Sequence, residues 1–534
     1  MSKQRLNVRA LIFLLACTWA PFTAAGNPSG DTGERLRGRL TQAEDTPLLA
    51  LDETVRARAT VARFYARRVY RPAWQDTTVD QLIDAVIDAE AHGLEPTHYH
   101  LDAIRRARTA ENPVALELLA SDAYLTLAAH LLSGRLNPVT VEPDWTAIRR
   151  ERDLAAYLEQ AVTTGNITDS LEQLAPPNTA YAELKLALQR YRKAAADGGW
   201  QRITEGPALK PGDVGARVRD LRQRLRATGL IDAGGDRADT FDTDMEIAVA
   251  AFQRRIGLEP DGIVGPVTLR ELNRSPAYRI AQIRVNLERW RWLPDSLGQR
   301  HIRVNIADYR LQAVQDGRVE REHDVIVGRT YRKTPVFSGQ ISYVVLNPWW
   351  ETPHNLARLD KLPAFRKDPA SAERLGFEVL DRNGSPVPTG SIDWSQYTAD
   401  RFPFRLRQRP GPLNALGQVK LMFPNPHNVY LHDTPGRELF NRGERAFSSG
   451  CIRVADALGL TSWVLAQTPG WDRRRIDSTL DSQRETRVDL ATRVPVHILY
   501  FTAVVDDDGA LRLVNDIYDR DQRVFSALNQ APDA

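Results

Sequence analysis

The sequence predicts a multidomain α+β protein, with a helical domain, a three-helix module and a mainly-β domain in that order. A chain of 534 residues is too long for one hydrophobic core and predicts about three domains. Apolar residues recur with helical spacing in the first half of the chain and with strand spacing in the second. An apolar share of 42% and a charged share of 26% are ordinary for a globular protein.

The N-terminus reads as a secretory signal peptide over residues 1–25. Three basic residues precede an apolar run at 10–20, and small residues at 23–25 form a cleavage site. A membrane anchor formed by this segment and a lipoprotein anchor at Cys17 are the alternatives. Residues 26–50 carry Gly, Pro, Asp and Ser without apolar periodicity, so we interpret them as a linker.

The charge balance argues against nucleic acid as a partner. The 71 basic residues of the full chain fall to 68 once the signal peptide is removed, and this equals the 68 acidic residues. A protein without excess positive charge lacks the electrostatic footprint of nucleic-acid binding.

Residues 51–205 are predicted to form a helical domain, because apolar residues recur at helical spacing in stretches that end at glycines. His92, His98 and His100 raise a metal site as the alternative to an ordinary turn. No cysteine or carboxylate completes a ligand set at familiar spacing, so we predict no metal and no cofactor.

Residues 207–274 are predicted to form a compact module of three helices. Val218, Leu221 and Leu225 recur at i, i+3 and i+7 and therefore share one helix face. A second helix follows, and a turn rich in glycine leads into a third helix that begins at Pro266.

Residues 278–520 are predicted to form the mainly-β domain, because alternating patterns such as 302–306 and 494–505 indicate strands. The Pro- and Arg-rich stretch 351–412 has few strand signals and is interpreted as an inserted lid or a loop that flanks the substrate. The last residues, 521–534, are interpreted as a tail.

Cys451 is predicted to be the nucleophile of an acyl-transfer enzyme. The chain has two cysteines, and removal of the signal peptide leaves Cys451 alone, so no internal disulfide can form. A lone thiol in an oxidising compartment is a liability unless it does chemistry.

The surroundings of Cys451 suit a reactive thiol. His432 lies 19 residues earlier at a strand end and can serve as the base. Gly450 permits a tight turn that aims backbone N–H groups at one point. A helix that begins near Ala455 and the charge of Arg453 are expected to favour the thiolate. These residues indicate a thiol acyltransferase or a thiol hydrolase.

The three-helix module closely resembles the peptidoglycan-binding type 1 domain. The resemblance implies a role in binding or positioning on the cell wall rather than in catalysis. The matching residues are Gly212, Val218, Leu221, Leu225, Gly229, Ala248, Val249, Phe252, Gln253, Gly257, Leu258, Asp261, Gly262, Gly265, Pro266, Thr268 and Leu272.

The segment from His432 to Arg453 resembles the catalytic motif of the L,D-transpeptidases, the YkuD-like family. Ser449 stands where many relatives have histidine. Other marks belong to the large multidomain branch of the family, which has a helical scaffold domain. They are Phe64-Tyr65, Pro72-Ala73-Trp74, Arg289-Trp290-Arg291-Trp292, Thr334-Pro335-Val336, Asn347-Pro348-Trp349-Trp350, Asn414-Ala415-Leu416-Gly417, Phe423-Pro424-Asn425, the run from Tyr430 to Pro435, and Asp516-Ile517-Tyr518.

This resemblance implies a periplasmic enzyme that remodels peptidoglycan. Cys451 would attack a donor tetrapeptide, release D-alanine and form a thioester, which the amine of diaminopimelate on an acceptor stem resolves into a 3→3 cross-link. His432 would be the general base. Because consecutive strand residues point to opposite faces, we expect a backbone carbonyl rather than the Asp433 carboxylate to orient it. Carbapenems are expected to inhibit.

The resemblance also assigns supporting roles around the thiol. Ser448, Ser449 and Gly450 would support the oxyanion or the site. Arg453 would bind a substrate carboxylate, with a structural salt bridge as the alternative, and Tyr430 would contact the substrate.

Other functions remain open at this point. The same thioester could pass to water, to an amino acid or to an anchored protein. A thiol endopeptidase would place its cysteine before the histidine, opposite to the order here. A non-catalytic wall-binding protein would not need the Cys451 and His432 pair.

Overall fold

The computed structural model describes six parts of the chain, and the predicted signal peptide with Cys17 lies outside them. These parts are residues 30–42, 46–143, 145, 149–232, 238–506 and 509–530.

The N-terminal region is a helical domain built around the apolar helix α5. Asn112 caps α5 by accepting a hydrogen bond from the Ala115 N–H at 3.1 Å. Within the described ranges, α5 alone has the length and composition to cross a membrane, but 83% of its most apolar window is buried inside the protein. The elements are α1 (Gly30–Leu40), β1 (Leu49–Ala50), β2 (Glu53–Thr54), α2 (Arg58–Arg67), α3 (Asp76–Asp88), α4 (Leu101–Thr109), α5 (Pro113–Ser133), α6 (Pro138–Val141), α7 (Leu154–Thr164), α8 (Ile167–Glu172) and α9 (Thr179–Ala196).

The predicted linker at 26–50 is wrong for its described part, because residues 30–40 form α1. Leu36 and Leu40 lie four residues apart and are buried in the core of the helical domain. The many charged residues of this segment obscured a helical pattern carried by only two leucines.

The module at residues 207–274, which we call the wall-binding module after the resemblance noted above, has three helices, as predicted. Val218, Leu221 and Leu225 are all buried in its core, as their shared helix face requires. The module lies against the C-terminal region, because a Cβ at Gly257 would be 3.1 Å from the Val514 side chain. Its helices are α10 (Ala216–Arg226), α11 (Thr243–Arg255) and α12 (Pro266–Leu272).

A long helix that the sequence pattern did not reveal, α13 (Pro276–Arg291), leads from this module into the β domain. Ser275 caps it by accepting from the Tyr278 N–H at 3.2 Å. Arginine, glutamate and asparagine residues are buried along α13 together with apolar ones, so no purely apolar stripe marks its inner face. We call α13 the junction helix.

The C-terminal region is a nine-stranded sheet with helices against it. The sheet order is β13-β5-β14-β12-β11-β6-β15-β3-β4, and β5 also pairs with β4, which closes the sheet. The elements are β3 (Arg300–Asn305), β4 (Arg310–Gln315), β5 (Arg318–Gly328), β6 (Phe337–Leu346), β7 (Trp350–Glu351), α14 (His354–Leu356), α15 (Leu362–Lys367), α16 (Ser371–Arg374), β8 (Phe377–Leu380), β9 (Pro386–Val387), β10 (Arg405–Gln408), β11 (Val419–Met422), β12 (Leu431–His432), β13 (Ala446–Ser448), β14 (Ile452–Val454), α17 (Ala457–Leu465), α18 (Arg473–Asp481), β15 (Thr486–Leu499), β16 (Ala503–Val505), β17 (Leu511–Leu513) and α19 (Asp521–Asn529).

The insertion at 351–412 is a folded subdomain rather than a stretch with little strand structure. Four strands pair in the order β7-β10-β8-β9. Phe365, Phe377 and Trp394 pack in an apolar core of its own. Whether this subdomain acts as a lid stays a prediction.

The predicted tail also needs correction. Residues 521–529 form α19, and Val524 and Leu528 are buried in the main core of the β domain. The two apolar residues Val524 and Leu528 form too short an amphipathic pattern to predict this packing.

Candidate active site

The strands that carry the predicted base and nucleophile are direct neighbours. β12 and β14 run parallel, with Leu431 opposite Ile452 and His432 opposite Arg453. Leu431 and Ile452 are fully buried in the core. Because side chains alternate along a strand, His432 and Arg453 lie side by side on the other face.

Cys451 directly precedes β14 and is level with Tyr430. The Ile452 N–H donates to the Tyr430 carbonyl at 3.1 Å, and the Cys451 thiol donates to the Asn428 carbonyl at 3.6 Å. The Tyr430 hydroxyl and N–H lie near enough to the sulfur to lower the pKa of the thiol. His432 is therefore the diagonal neighbour of Cys451, with the two Cα atoms about 8 Å apart by strand geometry.

The orientation of His432 is fixed by a backbone carbonyl, as the sequence predicts. Its Nδ1 lies 2.5 Å from the Asp433 carbonyl oxygen. A carbonyl can only accept, so Nδ1 carries the hydrogen and Nε2 keeps a free lone pair. Burial, with the charge of Arg453, lowers the pKa of His432 to about 3. The imidazole is therefore neutral near pH 7 and able to take a proton.

Asp433 holds that carbonyl in place without touching the imidazole through its carboxylate. Its Oδ2 accepts from the Gln418 N–H at 2.9 Å, and its N–H donates to the Val419 carbonyl at 3.0 Å. A Cβ at Gly417 would lie 2.3 Å from Asp433 Oδ2. Only glycine fits there, which explains the glycine that ends the Asn414 motif.

Residues 448–450 form a tight turn before the thiol, which we call the nucleophile turn. The Ser448 hydroxyl donates to the Cys451 carbonyl at 2.5 Å and accepts from the Gly450 N–H at 3.1 Å. Gly450 has φ +115°, which favours glycine strongly. The Ser448 hydroxyl and the Gly450 N–H therefore both donate within the turn. These two residues support the site by shaping the turn rather than by donating to an oxyanion.

The loop after β5 lies across this turn. The Arg329 N–H donates to the Ser448 carbonyl at 3.0 Å, and the buried Thr334 hydroxyl donates to the Gly450 carbonyl at 2.9 Å. The Thr334 N–H in turn donates to the Tyr518 hydroxyl at 3.1 Å. The sequence motifs that contain Thr334 and Tyr518 therefore support the turn that precedes Cys451.

The electrostatic environment does not favour the thiolate in the free enzyme. Burial raises the pKa of the Cys451 thiol, against hydrogen bonds from Tyr430 and the charge of Arg453. α17 begins at Ala457, close to the predicted start, and the Asp456 carboxylate caps it by accepting from the Gly459 N–H at 2.9 Å. The expected help of this helix to the thiolate stays a prediction. An acid at that end offsets the positive end of the helix.

Arg453 has no carboxylate within salt-bridge distance anywhere in the part of the chain that the structure describes. Its Nε is buried without a hydrogen-bond partner, and burial lowers the pKa of the guanidinium. The alternative of a structural salt bridge at Arg453 therefore has no partner among the described residues.

Two of the three histidines considered as metal ligands, His92 and His100, hydrogen-bond within the helical domain instead. His92 hydrogen-bonds to Tyr181 and Glu172, both at 2.9 Å, and His100 hydrogen-bonds to Asp122 at 2.8 Å. Across the described ranges, no group of three His, Cys, Asp or Glu side chains is placed to hold a metal ion.

Comparison with family models decides the family of the β domain. Residues 299–490 match the model described as the L,D-transpeptidase catalytic domain. The chain carries an L,D-transpeptidase catalytic domain. Residues 59–188 match the "Scaffold domain" model, and residues 214–272 match the "Putative peptidoglycan binding domain" model. The family resemblances inferred from the sequence are confirmed.

Two curated proteins are similar to parts of the chain. A Haemophilus influenzae protein named "Putative L,D-transpeptidase" is 38% identical over 243 residues, which cover 46% of this chain and 48% of that protein. The Mycobacterium tuberculosis protein "N-acetylmuramoyl-L-alanine amidase CwlM" is 38% identical over 87 residues, 15% of this chain and 21% of that protein. The chain thus spans about half the length of the first relative.

Two solved structures of L,D-transpeptidases align with the chain. The Xylanimonas cellulosilytica structure is 16% identical, with a TM-score of 0.17, and the alignment covers 55% of this chain and 99% of that one. The Stackebrandtia nassauensis structure is 14% identical, with a TM-score of 0.21, and the alignment covers 56% and 97%. TM-scores this low establish no shared arrangement, so the fold rests on the strands described above.

In this L,D-transpeptidase domain, the structure brings most of the sequence-predicted site residues together. Tyr430, His432, Cys451 and Arg453 share one face of two adjacent strands, above the nucleophile turn. Sequence reasoning missed the residues that hold this arrangement. Thr334 and Tyr518 lie in family motifs that assign them no role, strand alternation argues against the Asp433 carboxylate, and nothing in the local sequence points to Arg332 and Asp360.

Proposed function

We propose that the protein is a peptidoglycan L,D-transpeptidase that joins stem peptides 3→3 through a thioester on Cys451. The observation that carries this proposal is the hydrogen bond from His432 Nδ1 to the Asp433 carbonyl. It leaves the Nε2 lone pair as a base on the strand beside the thiol.

In the first half-reaction, the Cys451 sulfur attacks the carbonyl carbon of the third residue of a donor tetrapeptide while its proton passes to His432 Nε2. The carbon–nitrogen bond to D-alanine then breaks, and His432 returns the proton to the leaving amine. Thiol and imidazole both start neutral, since the pKa of the thiol is raised and that of the imidazole is lowered. Proton transfer therefore accompanies attack rather than preceding it.

In the second half-reaction, the side-chain amine of diaminopimelate on an acceptor stem attacks the thioester carbon. His432 Nε2 takes a proton from the attacking amine, the carbon–sulfur bond breaks, and the sulfur recovers that proton from the imidazolium. Water or another amine in place of the acceptor gives hydrolysis or exchange by the same bond changes.

The charge that develops on the substrate oxygen needs donors near the sulfur. Because the Gly450 N–H is held by Ser448, we assign this role to the Cys451 N–H together with the Tyr430 hydroxyl, which lies at the sulfur. The unpaired guanidinium of Arg453 suits a substrate carboxylate, since a guanidinium fork and a carboxylate form paired hydrogen bonds.

The other domains fit work on a polymer outside the cytoplasm. The wall-binding module and the C-terminal segment enclose a cleft of about 1100 Å³ that is lined by Gln253, Tyr278 and Glu444 among others. Glu444 belongs to the segment that leads from His432 to Cys451, so the cleft borders the chain that carries the site. We place the enzyme in the periplasm, exported by residues 1–25.

The test is a mass analysis of products from disaccharide-tetrapeptide. We expect the mature protein to release D-alanine and form a cross-linked dimer, and Cys451→Ala to form neither. Tripeptide without dimer would indicate hydrolysis instead. Turnover retained by Cys451→Ala would rule out the nucleophile. A carbapenem should add its mass to the wild-type protein and not to Cys451→Ala.

A further inference from the structure

A charged pair connects the inserted subdomain to the nucleophile turn. The Arg332 Nη1 donates to the Ser449 hydroxyl at 3.1 Å. The same guanidinium grips the Asp360 carboxylate with two hydrogen bonds, at 2.7 Å and 3.1 Å. We infer that Arg332 is a positioning residue for the nucleophile turn, and that Asp360 of the insertion holds Arg332 in place.

The loop from Arg329 to Thr334 holds the turn residue by residue. Arg329 holds Ser448, Arg332 holds Ser449 and Thr334 holds Gly450. The outer two contacts are made to backbone carbonyls of buried residues. The middle contact differs, because it joins two side chains and one of them is anchored on another subdomain.

Ser449 depends on this contact more than its neighbours do. Ser448 and Gly450 are buried, whereas Ser449 is exposed and has no packing to restrain it. A guanidinium that forms two parallel bonds to a carboxylate is directional as well as charged. Asp360 therefore fixes the direction of the second N–H of Arg332 Nη1. That N–H donates to the hydroxyl of Ser449, which lies two residues before the thiol.

The role of Asp360 makes the insertion part of the catalytic unit. The insertion is a separate folded subdomain with its own core, and Asp360 is its ion-pair partner for the loop over the turn. When the pair is broken, the turn keeps two of its three supports, and we expect the thiol to be less well placed for attack. A displacement of about 1 Å at a reacting atom can lower turnover about a hundredfold.

This inference rests on the proposed thioester chemistry of Cys451, so the test measures the thiol in two ways. Turnover of disaccharide-tetrapeptide gives kcat and KM. The rate of Cys451 alkylation by iodoacetamide, measured across pH, reports on the thiol without any peptidoglycan. The variants are Arg332→Ala, Arg332→Lys, Asp360→Asn and Ser449→Ala.

Asp400→Asn is the matched control. Asp400 pairs with Arg358 at 3.6 Å within the same subdomain and is almost fully exposed. Its removal takes one ion pair from the insertion without touching the loop or the turn, so both measurements should match wild type.

We expect Arg332→Ala and Asp360→Asn to lower kcat at least about tenfold with little change in KM, because the turn and not the substrate contact is altered. The pH dependence of the Cys451 alkylation rate should also change in both variants. Arg332→Lys keeps the charge but loses the paired N–H donors of the guanidinium. Its kcat should therefore lie between those of wild type and Arg332→Ala. The Arg332→Ala/Asp360→Asn double variant should be no worse than Arg332→Ala alone, since both remove one linkage.

Wild-type kcat and alkylation in folded Arg332→Ala and Asp360→Asn, with Cys451→Ala inactive, would overturn this inference and leave the proposed function standing. Activity in Cys451→Ala would instead remove the proposed function. Should Arg332→Ala fail to fold, Asp360→Asn and Ser449→Ala decide the question, since each replaces a side chain that is not in a hydrophobic core.

Discussion

The junction helix and the active site treat buried charge in opposite ways. On the junction helix, Arg291 pairs with Glu288 at 2.7 Å, and both side chains are fully buried. Arg279 pairs with Glu271 at 2.9 Å. At the active site, Arg453 is partly buried and has no carboxylate partner among the described residues, and its Nε lacks any hydrogen bond.

This difference separates charges that hold the architecture from the charge of Arg453, to which we assigned a substrate carboxylate. A buried charge is tolerable when paired and costly when left alone. Two further pairs of the junction helix join it to other parts of the chain: Arg284 meets Glu95 of the helical domain at 2.8 Å, and Arg289 meets Asp521 of α19 at 2.5 Å. The Arg453 guanidinium beside the thiol joins no domains and has no ion-pair partner among the described residues. This is consistent with a substrate carboxylate as its partner.

The largest expected effect lies on the catalytic side of this comparison. His432→Asn keeps an N–H group for the Asp433 carbonyl but lacks the basic lone pair, so turnover should fall about a thousandfold. The measurement is kcat/KM on disaccharide-tetrapeptide, with exposed His354→Asn as the control. A loss below about tenfold would show that His432 is not the base.

The largest effect on stability belongs to the junction helix. Glu288→Ala leaves Arg291 buried without its partner and also removes the acceptor of the Trp292 indole N–H, now at 3.0 Å. We expect a loss of about 3 kcal/mol or more in the free energy of unfolding, read from urea titration. Asp197→Ala, in an exposed pair with Lys193, should stay near wild type. Equal stability of both variants would contradict the structural role.

The reverse pattern is expected at Arg453. Arg453→Met removes a charge that forms no ion pair with a described carboxylate, so stability should not fall, while KM should rise about tenfold, the size of one charge-assisted contact. Arg487→Met, at an exposed residue paired with Asp489, is the control and should leave KM unchanged. A marked loss of stability with wild-type KM would assign Arg453 to the architecture instead.

The smallest effect is a pH dependence of stability from His432. Its pKa falls from the ordinary 6.5 to about 3 on folding, so between these values the unfolded chain binds a proton that the native state does not. Stability therefore declines as pH falls, by about 1 kcal/mol per pH unit for one such group. Unfolding titrations at pH 7, 6 and 5 should show the wild type losing this amount relative to His432→Asn. Parallel curves for the two proteins would refute it.

The sequence by itself predicted Cys451 as the nucleophile, His432 as the base and the order of the three domains. These features lie in local patterns: helical spacing at Val218 and Leu221, strand alternation around His432, and one thiol beside a glycine turn. Side-chain periodicity is set by backbone geometry within a few residues, so it can be read without knowing the fold.

The tertiary structure alone decided which distant residues support the site and join the domains. Arg332 and Ser449 are 117 residues apart in the chain, and Arg289 and Asp521 are 232 apart. A charged residue carries no local signal of its partner, because the pairing arises only when folding brings the two groups together. The buried charged residues of the junction helix also interrupt its apolar periodicity. The hydrophobic pattern that predicted the neighbouring helices therefore did not predict this one.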